Sequence, residues 1–139
     1  MKSIFIILLI IAPIKAYCWI FISDVQYPME KTTAKMYYDS ESIRIGNDYI
    51  DFKILFNFPQ PVQCDGKACM SEVSTIRMYC NKKQWGQKDV ARFSRTNGSG
   101  ERRAKEDKSS TFGSPNKINV IEGDSWTSKW QDVTLHLCK

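Results

Sequence analysis

Between Tyr49 and Phe58 the side chains alternate without a break. Ile50, Phe52, Ile54, Phe56 and Phe58 fall on one face, and Tyr49, Asp51, Lys53, Leu55 and Asn57 on the other. A period of two with that aromatic weight predicts a strand with one buried and one largely wet face. Pro59 and Pro61 are expected to stop it. Met70 to Cys80 repeats the theme; Cys80 shares a parity with Ser74, Ile76 and Met78, which favours that set as the core face. Cys18 to Ile22 is aromatic and β-branched, and predicts the first strand of the folded part. Ser23 to Thr33 reads as a polar connection, Met36 to Tyr38 as a short strand, and Asp39 to Ser42 as a turn or single helical turn. Gly46-Asn47-Asp48 and Asn81-Lys82-Lys83 are turn signals, the second leading through Trp85 into a strand over Lys88–Ser94.

Beyond Asn97 the character changes. Residues 97–117 are charged and weakly patterned and read as a long, poorly ordered loop. Ile118 to Ile121 predicts a last short strand. Asp124-Ser125 can cap a helix whose apolar stripe is Trp126, Trp130, Val133 and Leu137. Val133 to Leu137 also alternates, as a strand would; the helix is the preferred reading. The expected class is therefore α+β: a single antiparallel sheet wound as a meander, a C-terminal helix packed on one face, and disulfide staples.

Met1 to Ala16 stands apart. Lys2 precedes an unbroken apolar run, Ile4 to Ile11, that is too short to span a bilayer; Pro13 ends it and Ala16 supplies a small residue. That is the layout of a cleaved export signal, leaving residues 17–139 as one domain in an oxidising compartment with no transmembrane segment. Two lysines and no acid lie in 1–16, so the formal charge falls from +5 to +3 on cleavage. A balance that mild excludes a dedicated nucleic-acid binder.

Five cysteines follow the leader: Cys18, Cys64, Cys69, Cys80 and Cys138. Cys64 and Cys69 frame Asp65-Gly66-Lys67-Ala68, and a bridge between them would close a hairpin tip, worth ~2 kcal/mol on the chain-entropy model. Joining Cys80 to Cys138 would tie the chain end to its middle and be worth ~4 kcal/mol. Zinc would want paired Cys-x-x-Cys elements or several histidines, and His136 is the only histidine. Cys18 is left over. Tyr17 precedes it where a lipid-attachment site has a small residue, so we read it as unmodified: a buried free thiol, or one bridged to another chain.

Catalytic signatures are missing: there is no Gly-x-Ser-x-Gly, phosphate loop or His-Glu-x-x-His. The carboxylate pairs Asp48/Asp51 and Glu122/Asp124 flank turns, where solvation explains them. The chain is expected to be no enzyme, with no cofactor and no metal. Arg102, Arg103, Lys105 and Lys108 form a basic cluster, interleaved with acids, that suits an acidic partner.

The run from Trp19 through Tyr37-Tyr38-Asp39-Ser40-Glu41-Ser42-Ile43, the Tyr49–Phe58 strand ending in Phe58-Pro59-Gln60-Pro61, the Ser74–Cys80 segment and the final Cys138 resembles the surface-adhesin protein E family. These are small exported proteins of Gram-negative bacteria. The resemblance implies about six antiparallel strands, a C-terminal helix and a Cys80–Cys138 bridge. It also implies adhesion to host matrix or serum proteins such as vitronectin, laminin and plasminogen. Lys139 would suit the lysine-binding kringle pockets of plasminogen. The Cys64/Cys69 pair and the charged 97–117 segment depart from the family pattern at the loops, where partner recognition resides.

Two functions follow. The first is an exported, non-catalytic protein-binding module resident in the periplasm or at the cell surface. The alternative is a periplasmic enzyme inhibitor or small periplasmic enzyme, which would need two carboxylates, or a carboxylate with His136, converging in one pocket. Neither reading sets the oligomeric state.

Overall fold

A computed structural model of the chain describes residues 17–27, 31–82, 84–106, 119–120, 129 and 137–138. Seven strands occur in chain order: β1 (Trp19–Tyr27), β2 (Thr32–Ile45), β3 (Tyr49–Cys64), β4 (Lys67–Tyr79), β5 (Gln84–Phe93), β6 (Arg102–Glu106) and β7 (Asn119–Val120). The first six lie side by side in that order, each antiparallel to the next. The two residues of β7 pair with the start of β5, through Gln84↔Val120 and Trp85↔Asn119. A meander of this kind needs only short turns. At the β3–β4 tip Asp65 and Gly66 both take positive φ (51° and 76°) between the paired Cys64 and Lys67, the two-residue turn whose twist matches the flanking strands.

The α+β expectation is corrected: the described residues form one antiparallel sheet, with no helical element among them. Trp126, Trp130 and Val133 lie outside the described residues. The stripe's last member, Leu137, packs against the core beside Cys138. The apolar stripe at 126, 130, 133 and 137 has helical spacing, but 133–137 also alternates with a period of two, so the pattern does not by itself select a helix.

The strands are also longer than their apolar runs. β3 continues through Pro59 and Pro61 to Cys64, because the β3–β4 register breaks between Asn57 and Val62 and both prolines sit where the ladder is interrupted. A residue without an N–H costs nothing there. β2 likewise runs on past Asp39. Its register with β3 shifts between Asp39 and Arg44, and the expected turn is a bulge inside the strand. Asp39 Oδ1 accepts from the Glu41 N–H (3.1 Å), Ser42 Oγ donates to the Asp39 carbonyl (2.7 Å), and the Lys53 N–H donates to Ser42 Oγ (2.8 Å). The charged segment expected to be a loop contains β6, whose Arg102 and Lys105 stand opposite Phe93 and Ala91. Charge there is compatible with a strand that, among the described residues, pairs with β5 alone.

One face of the sheet carries the core: Tyr27, Met36, Ile50, Phe52, Ile54, Phe56, Phe58, Ile76, Met78 and Trp85 are all buried. Cys80 and Cys138 are bridged, Cα atoms 5.4 Å apart, which brings Leu137 onto this face. Cys64 and Cys69 are bridged across the β3–β4 tip, Cα atoms 6.0 Å apart. Within the core face sits a buried polar cluster. Tyr27 Oη donates to Glu72 Oε2 at 2.6 Å, and Arg92 Nε donates to the same oxygen at 2.8 Å. The Tyr27 ring packs edge-on against Phe56 and Phe58. Burial, reinforced by the adjacent Glu72 carboxylate, holds the Tyr27 hydroxyl well above its ordinary value of 10.0. Arg92 is likewise raised: burial alone would lower it, but its bond to Glu72 and that carboxylate's charge outweigh the cost.

Three stability outcomes follow. Opening the 58-residue Cys80–Cys138 separation by a double Ser substitution should cost about 4 kcal/mol in urea unfolding, against about 2 kcal/mol for the five-residue Cys64–Cys69 separation. Glu72→Ala leaves the Arg92 charge buried without its carboxylate, and about 3 kcal/mol should be lost. A raised tyrosine keeps its proton in the folded state while the unfolded chain gives it up. Its contribution is therefore complete below pH ~10 and declines as pH rises further. Subtracting the Tyr27→Phe stability profile from that of the wild type should isolate this alkaline decline; identical profiles would show that Tyr27 is not its source.

Candidate functional site

The opposite face of the sheet is not the wet surface that simple alternation implies. Phe21, Tyr37, Leu55, Val73, Ala91 and Lys105 stand opposite one another across six strands. Leu55, at the middle of this row, is fully buried. The connection between β5 and β6, residues 94–101, folds back over this face. Asn57 Nδ2 donates to Asn97 Oδ1 and the Asn97 N–H donates to Asn57 Oδ1, both at 2.8 Å. Ser71 Oγ donates to the Arg95 carbonyl (2.5 Å) and accepts from the Gly98 N–H (3.0 Å). Asn97 and Gly98 both take positive φ (59° and 65°) to make the bend. A Cβ on Gly98 would stand 2.8 Å from Val73 Cγ2, so glycine is required there for both conformation and contact.

Two depressions flank the folded-back connection. One, of about 580 Å³, is walled by Asp24, Lys35, Tyr37, Asn57, Pro59 and Asn97. The other, of about 420 Å³, is walled by Tyr17, Lys53, Thr75, Asp89, Phe93 and Arg102. Along the β1 side of the face runs a belt of aromatic rings under cations. Tyr17 stacks on Trp19 with Lys53 Nζ 5.0 Å above its centroid; Phe21 meets Tyr37 edge-on with Lys35 Nζ 5.4 Å from the Phe21 centroid. Phe21 remains 50% exposed and Tyr17 41%. Farther along, Arg77 makes a two-pronged pair with Asp51 (2.7 Å for each bond) and lies 3.7 Å over the Tyr49 ring. The hydrogen bond to Asp51 raises the Arg77 guanidinium above its usual value.

The residues expected to bind a partner are distributed unequally over this surface. Arg102 is exposed and borders the second depression. Arg103 is half-buried and pairs with Glu101 at 3.3 Å, which Lys67 also approaches at 3.6 Å; the Arg103 Nε is buried without a hydrogen-bond partner. Lys105 stands on β6 opposite Ala91. Lys108 and Lys139 lie outside the described residues. Cys18 is unpaired and exposed, which corrects the option of a buried thiol. Asp51 is engaged by Arg77, and each depression holds a single carboxylate, Asp24 or Asp89. His136, Glu122 and Asp124 lie outside the described residues. Among those residues no group of three or more His, Cys, Asp or Glu side chains is placed to hold a metal.

Sequence reasoning missed the aromatic–cation belt. Phe21, Tyr37 and Lys53 stand in segments correctly read as strands, but Tyr17 and Lys35 fall outside those segments, and the register that sets Phe21 against Tyr37 depends on the bulge between Phe21 and Ser23, which no local pattern marks.

The described residues thus define a class of small, disulfide-stapled antiparallel sheet with one buried face and one partly exposed aromatic face. Residues 19–133 match the family described as Surface-adhesin protein E, and the chain belongs to that family. The family is one of surface adhesins, not of enzymes. The fold is similar to the crystal structure of protein E from non-typeable Haemophilus influenzae, with a TM-score of 0.59 at 17% identity over 84% of this chain and 75% of that one. No curated protein matches by sequence.

The folded-back connection makes a checkable demand. Gly98→Ala should cost about 1–2 kcal/mol, since it forces an alanine into the left-handed region against Val73. Amide exchange should report it first at Gly98 and Glu101, whose N–H groups bond to Ser71 and Ser94; unchanged exchange there would mean the connection is not pinned as described.

Proposed function

We propose that this chain is an adhesin-like module that binds a protein partner, from the host matrix or serum, through the outer face of its sheet. The observation that carries the reading is the belt of exposed rings beneath cations, Tyr17 under Lys53 and Phe21 under Lys35. Aromatic side chains and arginine are the residues that dominate protein interfaces, and a ring already held by a cation loses little freedom on docking. Exposed apolar residues gathered on one side of a small protein signal an interaction surface, and Tyr17 and Phe21, at 41% and 50% exposure, are gathered in this way on the outer face. Family membership supplies the kind of role, adhesion, and the outer face supplies the means.

Within this reading, Arg102, Arg103, Lys105 and Lys108 steer the approach of an acidic partner, and Tyr17 and Phe21 form the contact that holds it. Exported residence, periplasmic or at the cell surface, follows from the same role. Binding to immobilised vitronectin, laminin and plasminogen provides the test. Tyr17→Ser with Phe21→Ser should weaken capture of the true partner at least tenfold, about 1.4 kcal/mol, at all salt concentrations. Replacing the four cations with Ser should weaken it mainly at low salt. Undiminished capture by the aromatic variant would remove the outer face as the binding surface.

A further inference from the structure

The depression of about 580 Å³ between β1, β2, β3 and the 94–101 connection borders the aromatic–cation belt and shares Lys35 and Tyr37 with it, but its amide and hydroxyl groups take no part in the contact just proposed. We propose that it is a carbohydrate-binding site, and that it accepts an uncharged pyranose residue of a glycan.

Its polar groups select a ligand rich in hydroxyls. The mutual pair of bonds between Asn57 and Asn97 fixes both amides yet uses only one of the two Asn57 Nδ2 protons, and it leaves the Asn97 amide protons available. Thr33, Thr96 and Asp24 bring further hydroxyl and carboxylate oxygens to the same depression. Donors and acceptors of that kind, close together, suit neighbouring sugar hydroxyls, each of which both donates and accepts.

The walls supply the complementary apolar part. Tyr37 and Pro59 offer ring surfaces, and the C–H face of a pyranose can lie on such a surface while its rim of hydroxyls reaches the amides. Charge then narrows the class. Lys35, the cation among the described residues of this depression, is held by Asp24 at 3.0 Å, so those residues leave no unmatched positive charge for a carboxylate or sulfate. A peptide is a poorer fit, because the edge strand β1 contributes only Asp24 to the depression, which leaves little strand edge for a peptide to pair with there. The connection that forms one wall is pinned at Asn57 and Ser71 before any ligand arrives, which lowers the ordering cost of binding.

Screening the intact exported chain against an array of neutral, N-acetylated, sialylated and sulfated oligosaccharides tests the proposal. Retention of uncharged glycans is expected, with titration of the best of them showing at least a tenfold loss in Tyr37→Ala and a clear loss in Thr96→Val. Asp24→Ala, a change at an exposed position, releases Lys35 and should shift preference towards the sialylated and sulfated probes. Each variant is checked by thermal melting; if Tyr37→Ala fails to fold, Thr96→Val and Asp24→Ala decide alone. Retention of no glycan, retention of acidic glycans only by the wild type, or equal affinity in the folded variants overturns the site. Thr96→Val changes no ring or cation of the belt, so loss of glycan binding in that variant with undiminished capture of matrix proteins separates the two readings, whereas Tyr37→Ala and Asp24→Ala alter the neighbours of Phe21 and report on both.

Discussion

A one-layer sheet has two faces and must close at least one of them to be stable. In this protein closure rests on β3, whose Ile50, Phe52, Ile54, Phe56 and Phe58 are all within 2% of complete burial, and on the Cys80–Cys138 bridge, which draws Leu137 onto that surface. The bridge joins residues 58 apart. It acts mainly by limiting the freedom of the unfolded chain, a substantial contribution for a domain this small. Everything on the opposite face depends on it, because recognition groups can be exposed on one side only while the other side holds the fold.

The core face is not wholly apolar, and its exception is informative. Glu72 lies among phenylalanines with Tyr27 and Arg92 both bonded to one of its oxygens. A buried charge is tolerated when its partners are complete. The cluster ties β1 to β4 and β5, neither of which is paired with it in the sheet, and so helps fix how the edge strand lies over the core. That edge strand carries Phe21 and follows Tyr17. The buried polar cluster thereby helps position the rings proposed to meet a partner.

Much of the fold was legible in the chain. The alternation over 49–58 named the core face of β3 correctly, and the shared parity of Ser74, Ile76 and Met78 did so for β4, because burial on one face leaves a period-two record. Asp65-Gly66 marked its turn. What failed did so for identifiable reasons. Prolines 59 and 61 looked like terminators because a ladder interruption that accommodates them has no sequence signature. Residues 102–106 looked like loop because an edge strand needs no apolar face. Leu55 looked wet because nothing local shows that 94–101, a segment about forty residues away pinned through Asn57 and Ser71, folds back over its face. The candidate site was the least legible part: Arg102 was identified, but the belt of Tyr17, Phe21, Tyr37, Lys35 and Lys53 exists only once three strands are in register.

The central claim is that this protein meets its partner with the face opposite its core. Hydroxyl-radical footprinting of the chain, alone and bound to whichever matrix or serum protein it captures, tests that most directly. Protection should concentrate on Tyr17, Phe21 and Tyr37, with Ile45 at the far β2–β3 turn unchanged. Protection of Ile45 while those three rings stay reactive would contradict the account.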